Sequence, residues 1–336
     1  MSLTIGTGLT YSSASVGSRT VVTFTAGTGS VTFNFADTTT RQSVAGYFAG
    51  GSDSGGRISR INKLAFPAET ISTPSATLTA IRDDLAGFAN SGVAGYVGGG
   101  APSTNIIDKI TFPADTKTTL SATLTTSNEI LAGMSNSGVA GYFGGGADSG
   151  GFVSRFDKIT FTADTKTTLS ATLTTARQWL SATSNFGVAG YFGGGYDSGT
   201  YVSGIDKVSF PTDTKSTLTD PLTSVVIVLG AMADNGVAGY FGGGVAAAAK
   251  FSRVDRLSFS ADTISTGTIT LSSATTGLTG FANSGVAGYF AGGEDSGGKL
   301  DRIDRIAFPA ETRSTLSAVL STATADSSGF ADCGVF

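Results

Sequence analysis

The chain has 336 residues, 48 of them glycine, with a net charge of −4 and only 14% charged residues. No basic surplus exists to hold a polyphosphate backbone, which argues against nucleic acid as a partner. There is no histidine, and Cys333 is the single cysteine. Imidazole metal sites, Ser–His and Cys–His nucleophile pairs, disulfides within the chain and thiolate clusters are thereby excluded.

In chain order, the opening MSLTIGTGLTYSS carries neither a basic segment nor an apolar run, so no signal peptide is expected. No stretch is long and apolar enough to suggest membrane insertion. Residues 20–25 and 30–35 alternate apolar and polar around Ala26-Gly27-Thr28-Gly29, which predicts a hairpin. A lone hairpin is marginal in water. Residues 1–42 are therefore expected to be a β-rich attachment segment that anchors the chain in a larger assembly.

Residues 43–336 are written in repeats. The phrase Val-Ala-Gly-Tyr-Phe or Val, followed by glycines, starts after Ser43, Gly92, Gly138, Gly187, Gly236 and Gly285, and Gly334-Val335-Phe336 begins a seventh copy. The period is 49 residues, except between Gly95 and Gly141, where it is 46. Periods of this size mean stacked or radially arranged units. In the third repeat, residues 131–136, 139–144, 156–161 and 167–173 read as four strands. Asn136-Ser137-Gly138 and Thr162-Ala163-Asp164-Thr165 are turns between them. No helical periodicity appears, and four antiparallel strands per repeat is a propeller blade. The first repeat lacks a first strand, and residues 328–333 align with first strands such as residues 85–90. The expected fold is all-β: a six-bladed β-propeller of four-stranded antiparallel blades. The C-terminal strand closes the ring by joining the first blade, and a short N-terminal β-hairpin anchor precedes it.

The hydrophobic second strand ending in Gly-Gly (Gly50-Gly51, Gly145-Gly146, Gly194-Gly195), the polar loop and the third strand with an aromatic resemble kelch repeats. The resemblance covers residues 42–336. The fourth strand departs from the pattern, with Thr-Thr-Leu-Ser-Ala where kelch repeats carry a Trp. Glycine-rich kelch-like repeats of this style also resemble those of structural proteins in tailed bacteriophages. Copper oxidases of the kelch type need histidine and a Cys–Tyr arrangement, which this chain cannot build. Six-bladed sialidases need converging arginines, whereas Arg60, Arg155, Arg253 and Arg302 fall in or near third strands.

Positions that recur in every blade are read as architecture. The six Gly-Tyr pairs from Gly46-Tyr47 to Gly288-Tyr289 are assigned to packing between blades. Asp108, Asp157, Asp206, Asp255 and Asp304, with Asn62 in the first blade, are assigned to a repeated backbone or ion-pair contact. Glu69, Asp115, Asp164, Asp213, Asp262 and Glu311 are assigned to turns. No catalytic residue, metal site or cofactor is expected.

Variation concentrates in the loop between second and third strands and in the blade-to-blade connection, which lie on one face. The loop reads Asp-Ser-Gly at Asp53, Asp148, Asp197 and Asp295 and loses three residues in the second blade. Arg57, Phe152, Tyr201, Lys250 and Lys299 share one aligned position; Asp84, Ile130, Trp179, Val228, Gly277 and Asp326 share another. Variable loops over a fixed scaffold are the pattern of a recognition surface. The candidate partner-binding residues are Trp179, Arg177, Tyr196, Asp197, Tyr201, Asp148, Phe152, Asp53, Arg57 and Asp295, for a glycan or protein contact. Few charges, no leader and no disulfides suit a virion component made in the host cytoplasm and exposed later. Residues 1–42 would hold it to other virion proteins in multiple symmetric copies. A cellular interaction scaffold, a capsid decoration protein and a propeller glycosidase or lyase are the alternatives.

Overall fold

The computed structural model describes residues 2–5, 9–16, 19–27, 31–34 and 44–332. The chain divides into two compact units, Met1–Arg41 and Gln42–Phe336.

In the first unit, Leu9–Val16 pairs antiparallel with Arg19–Gly27, and Ser2–Ile5 pairs with Val31–Asn34. A hairpin is present, but it differs from the one expected. The strand covering residues 20–25 takes its partner from upstream, and Val31–Asn34 pairs with the chain's first strand instead. Only Gly17 and Ser18 separate the upstream pair in sequence, the shortest connection that favours a tight hairpin. The rest of the expected turn and second strand (Thr28, Gly29, Ser30 and Phe35) lies outside the described residues.

The second unit is six four-stranded antiparallel meanders, with no helix among the described residues. In the third blade the strands are Ala132–Asn136, Ala140–Gly144, Arg155–Thr160 and Thr165–Thr172. The first blade is completed by the far end of the chain. Ser328–Ala331 pairs with Ala45–Ala49, in the register Ser328↔Ala49 to Ala331↔Gly46. The Val44 amide donates to the Asp332 carboxylate at 2.8 Å, and the Asp332 amide to the Ala45 carbonyl at 3.0 Å. Ser328 corresponds to Ala86 rather than Leu85, one residue off the alignment read from the sequence. Cys333 lies outside the described residues.

The Gly-Tyr pairs pack the blades together from both faces of the second strand. Every Tyr of the six is at most 1% exposed. On the opposite face the glycine leaves a notch that a side chain from the preceding blade's innermost strand fills. Phe88 fills the notch at Gly141, Met134 that at Gly190 and Phe330 that at Gly95, each too close for any Cβ. The Tyr hydroxyl then donates to the turn acid of the next blade, as Tyr47 does to Asp115 at 2.7 Å and Tyr289 to Glu69 at 2.8 Å. The turn acids hold positive φ, 50° to 55°, which Asp and Asn tolerate best.

The third-strand acids pin the incoming connection of their own blade. Asp108 accepts the Thr79 amide at 2.9 Å and hydroxyls from Thr79 and Thr119. Asp157, Asp206, Asp255 and Asp304 accept amides of Thr125, Thr174, Thr223 and Ser272 in the same way. Asn62 accepts the Ser321 amide at 3.3 Å. These carboxylates are buried and carry hydrogen bonds of the scaffold.

Candidate binding face at the channel mouth

Each blade enters its innermost strand through a residue in the left-handed region: Asp84 (φ 54°), Ile130 (59°), Trp179 (55°), Val228 (56°), Gly277 (66°) and Asp326 (57°). Their peptide groups form one closed cycle. The amide of Ile130 donates to the carbonyl of Asp84 at 2.8 Å, Trp179 to Ile130 at 3.2 Å and Val228 to Trp179 at 3.0 Å. Gly277 donates to Val228 at 3.0 Å, Asp326 to Gly277 at 2.8 Å, and Asp84 to Asp326 at 3.0 Å closes the ring. Strand pairing alone leaves these groups free, and the turn into αL aims each at its neighbour.

The ring frames a central cavity of about 120 Å³, walled by the first residues of the six innermost strands. Deeper in, those strands converge on small residues. A Cβ on Gly133, Gly280 or Gly329 would fall 2.5 Å from the carbonyl oxygen of Gly87, Ala231 or Gly280.

Left-handed φ costs a non-glycine residue roughly 1–2 kcal/mol, more for β-branched side chains. Gly277 shows that glycine serves in this position, yet five blades keep a side chain there, two of them β-branched. The side chains divide the mouth. Asp326 and Asp84, adjacent in the cycle, form an acidic arc; Ile130, Trp179 and Val228 form an apolar arc.

Around the ring stand short hairpins, one in each of five blades, formed by Ser52–Asp53 with Gly56–Arg57, Ala147–Asp148 with Gly151–Phe152, and their equivalents. The second blade's shortened loop lacks one and makes the bridge Thr104↔Asn128 instead. In four of the five hairpins the aligned position in the second strand reaches towards the next blade. In the first, fifth and sixth blades it is basic. Arg57 Nε meets Asp83 at 2.7 Å, Lys250 donates to Glu294 at 3.0 Å, and Lys299 donates to Ser52 Oγ at 2.7 Å and the Asp53 carbonyl at 3.1 Å. In the third and fourth blades it is aromatic. Phe152 meets Tyr196 edge-on at 5.9 Å, Tyr201 meets Tyr196 at 5.5 Å, and Trp179 lies 6.1 Å from the same ring. One side of the face is thus clasped by ion pairs, and the other carries a partly exposed aromatic platform joined to the ring through Trp179.

The structure brings together four of the residues singled out in the sequence: Trp179, Tyr196, Tyr201 and Phe152. Asp197 belongs with them. In the other Asp-Ser-Gly hairpins an arginine faces the aspartate, at 3.4 Å for Arg60–Asp53, 3.1 Å for Arg155–Asp148 and 3.9 Å for Arg302–Asp295. Gly204 takes that arginine's place in the fourth blade. Asp53, Asp148 and Asp295 also accept the Gly55, Gly150 and Gly297 amides at 2.7–2.8 Å. Those backbone bonds, the hydroxyls of Thr126, Ser273 and Thr322, and the arginines hold their carboxyls below the usual carboxylate range. They shape their own loops, and Arg57 is engaged by Asp83. Arg177 does not reach the surface. It is 2% exposed, and its guanidinium pairs with Asp206 at 3.2 Å beneath the connection.

The sequence reading missed the acidic arc. Asp84 and Asp326 occupy equivalent places in their repeats, and only closure of the ring makes them neighbours. Burial, then the Asp326, Asp83 and Glu129 carboxylates, pushes Asp84 up to about 7. Burial, then Asp83 and Glu294, pushes Asp326 up to about 6. Arg57 and Lys299 oppose these shifts. Among the described residues no three His, Cys, Asp or Glu side chains converge as a metal site.

No family model matches the chain, and no curated protein matches it. The fold defines the class, a six-bladed β-propeller, a scaffold compatible with binding and structural roles. What the chain does must be argued from its site.

Proposed function

We propose that the chain is a non-enzymatic binding and structural protein of a virion, in the tail or tail fibre of a tailed bacteriophage. In this reading the ring-bearing face recognises a glycan or protein of the host surface, or a neighbouring virion protein. Residues 1–42 hold the propeller in the assembly.

One observation carries the binding reading. Trp179 is kept in a backbone conformation that favours glycine, and it adjoins Tyr196, Tyr201 and Phe152 at the one part of the face where aromatics replace the ion-pair clasp. Aromatic side chains at such a place supply large contact area at small entropic cost. The virion part of the reading is supported by the composition and by the likeness to glycine-rich repeats of phage structural proteins.

The test is binding of the purified chain to a panel of bacterial surface polysaccharides and envelope proteins, beside the Trp179→Ala/Tyr196→Ala/Tyr201→Ala variant. At about 2 kcal/mol for an interface hot spot, the variant is expected to lose at least about tenfold in affinity while its melting temperature holds. No sugar should be released from a bound polysaccharide. Equal binding by the variant would remove the platform from the account, and release of sugar would replace it with an enzyme. Absence of the chain from purified particles at fixed copy number would remove the virion assignment.

A further inference from the structure

We propose that the cavity inside the ring binds a small organic cation, an alkylammonium or guanidinium group on an apolar stem. Asp84 and Asp326 hold the charge, and Trp179 walls the opposite side. The inference shares Trp179 with the host-contact reading but turns on Asp84 and Asp326, which the outer platform does not include, so the two can fail separately.

Two features converge there. The first is the order of side chains in the hydrogen-bonded cycle. Asp326 and Asp84 are consecutive, and Trp179 is three places from Asp326 in a cycle of six, directly across the mouth. Carboxylates and an indole lining one cavity are the two kinds of group that attract an organic cation, by charge and by the ring quadrupole.

The second is a charge left uncompensated. No lysine or arginine lines the cavity. The nearby cations are engaged further out: Arg57 with Asp83, Lys250 with Glu294, and Lys299 with Ser52 and the Asp53 carbonyl. Asp83, Glu129 and Glu294 add negative charge around the two aspartates. Burial, together with these carboxylates, holds both carboxyls above their ordinary range, and an arriving cation would draw them back into the ionised form.

The size and donor set select among cations. A cavity of about 120 Å³ has room for a short stem. It offers two carboxylates, while the ring carbonyls already accept hydrogen bonds. Calcium takes six to eight oxygens, roughly, and is poorly served.

Trp179 is the single tryptophan of the chain, so intrinsic tryptophan fluorescence reports on this mouth alone. The full chain is titrated at pH 8 and fixed ionic strength with n-butylammonium, with methylguanidinium, with neutral 1-pentanol and with calcium chloride. A saturable change is expected with the two organic cations only. Asp84→Asn/Asp326→Asn should weaken it at least about tenfold. The unmodified protein at pH 5, where both carboxyls take up protons, should show the same weakening, which covers the case of a variant that fails to fold. A saturable response to 1-pentanol of equal strength would reduce the site to an apolar pocket. A saturable response to calcium would make it a metal site. An unaltered titration in the double variant or at pH 5 would overturn the proposal.

Discussion

Arg305 of the sixth blade donates from Nε to Glu69 of the first at 2.7 Å, across 236 residues of chain. It is the last of six such contacts, in which the base on a third strand meets the turn acid of the next blade. Lys63, Lys109, Lys158 and Lys207 meet Asp115, Asp164, Asp213 and Asp262. Arg256 meets Glu311, and Arg305 meets Glu69. Lysine always faces aspartate, and arginine always faces glutamate. Within a single repeat the match fails, since Lys63 precedes Glu69 and Arg256 precedes Asp262. The pairing makes sense only between neighbouring blades of a closed ring.

This covariation predicts a coupled pair at the seam. Arg305→Lys alone and Glu69→Asp alone should each lower stability, because the shorter side chain leaves the partner short of contact. Both side chains are about one-quarter exposed, so each single change should cost about 0.5–1 kcal/mol. The double variant should recover part of that loss, giving a coupling of about 0.5 kcal/mol or more in a double-mutant cycle. Urea unfolding midpoints measure it; strict additivity would mean that the seam is not clasped here.

The notches predict a steeper effect. Gly141→Ala places a methyl group within the ring of Phe88, against a rigid neighbour. Overpacking of this kind costs roughly 1–3 kcal/mol. Phe88→Leu, which opens the notch, should be less than additive with it. Gly138→Ala, where a Cβ meets nothing within 4 Å but φ is 79°, should cost only the backbone term of about 1–2 kcal/mol and add independently to Phe88→Leu.

The repeat made the blades, their order and the closing strand legible, because each second strand is copied in nearly the same letters. The roles of the third-strand acids could be anticipated from Asn62, which keeps the hydrogen bonding and drops the charge. What escaped was the side-chain pairing that closure sets up. Arg305–Glu69 was visible as paired variation but was not read across the seam, and Asp84 beside Asp326 follows from the same step. Arg177 was misplaced for a different reason. It is two residues from Trp179, but the chain turns into αL between the connection and the strand, so one side chain faces the mouth while the other is buried against Asp206. In the first unit the alternation of residues 20–25 identified a strand correctly and said nothing of its partner, which pattern alone does not specify.

The acidic arc predicts an unusual pH dependence. Asp84 titrates at about 7 when folded, against about 3.9 for an unfolded aspartate. Between those values the folded chain holds the extra proton, so this group's contribution to stability is greatest below about pH 4 and is lost as pH rises through 7. Asp84→Asn stays neutral throughout. The variant should match the unmodified chain near pH 4 and exceed it by about 1–3 kcal/mol at pH 8. A difference that is flat with pH, measured from unfolding at each value, would mean that Asp84 is solvated as an ordinary carboxylate.

Arg177 and Trp179 should separate stability from recognition. Arg177 is 2% exposed and shares Asp206 with Lys215, Thr174 and Thr217. Arg177→Ala leaves that buried carboxylate short of its nearest guanidinium, a loss of about 3–5 kcal/mol when no other group compensates. The lysine at 3.3 Å and the threonine hydroxyls remain, so about 2 kcal/mol is the expected cost. Arg177→Met should cost less than Arg177→Ala, because its stem refills the space. Binding at the face should survive in both at temperatures where the chain is folded. Trp179→Ala should do the reverse. It removes a partly exposed ring and keeps the Cβ that sets the cost of the left-handed backbone, so the melting temperature should hold while binding falls. Thermal unfolding beside a binding assay on the same four proteins decides it. If Arg177→Met abolishes binding with the fold intact, the buried ion pair must position the mouth rather than merely support it.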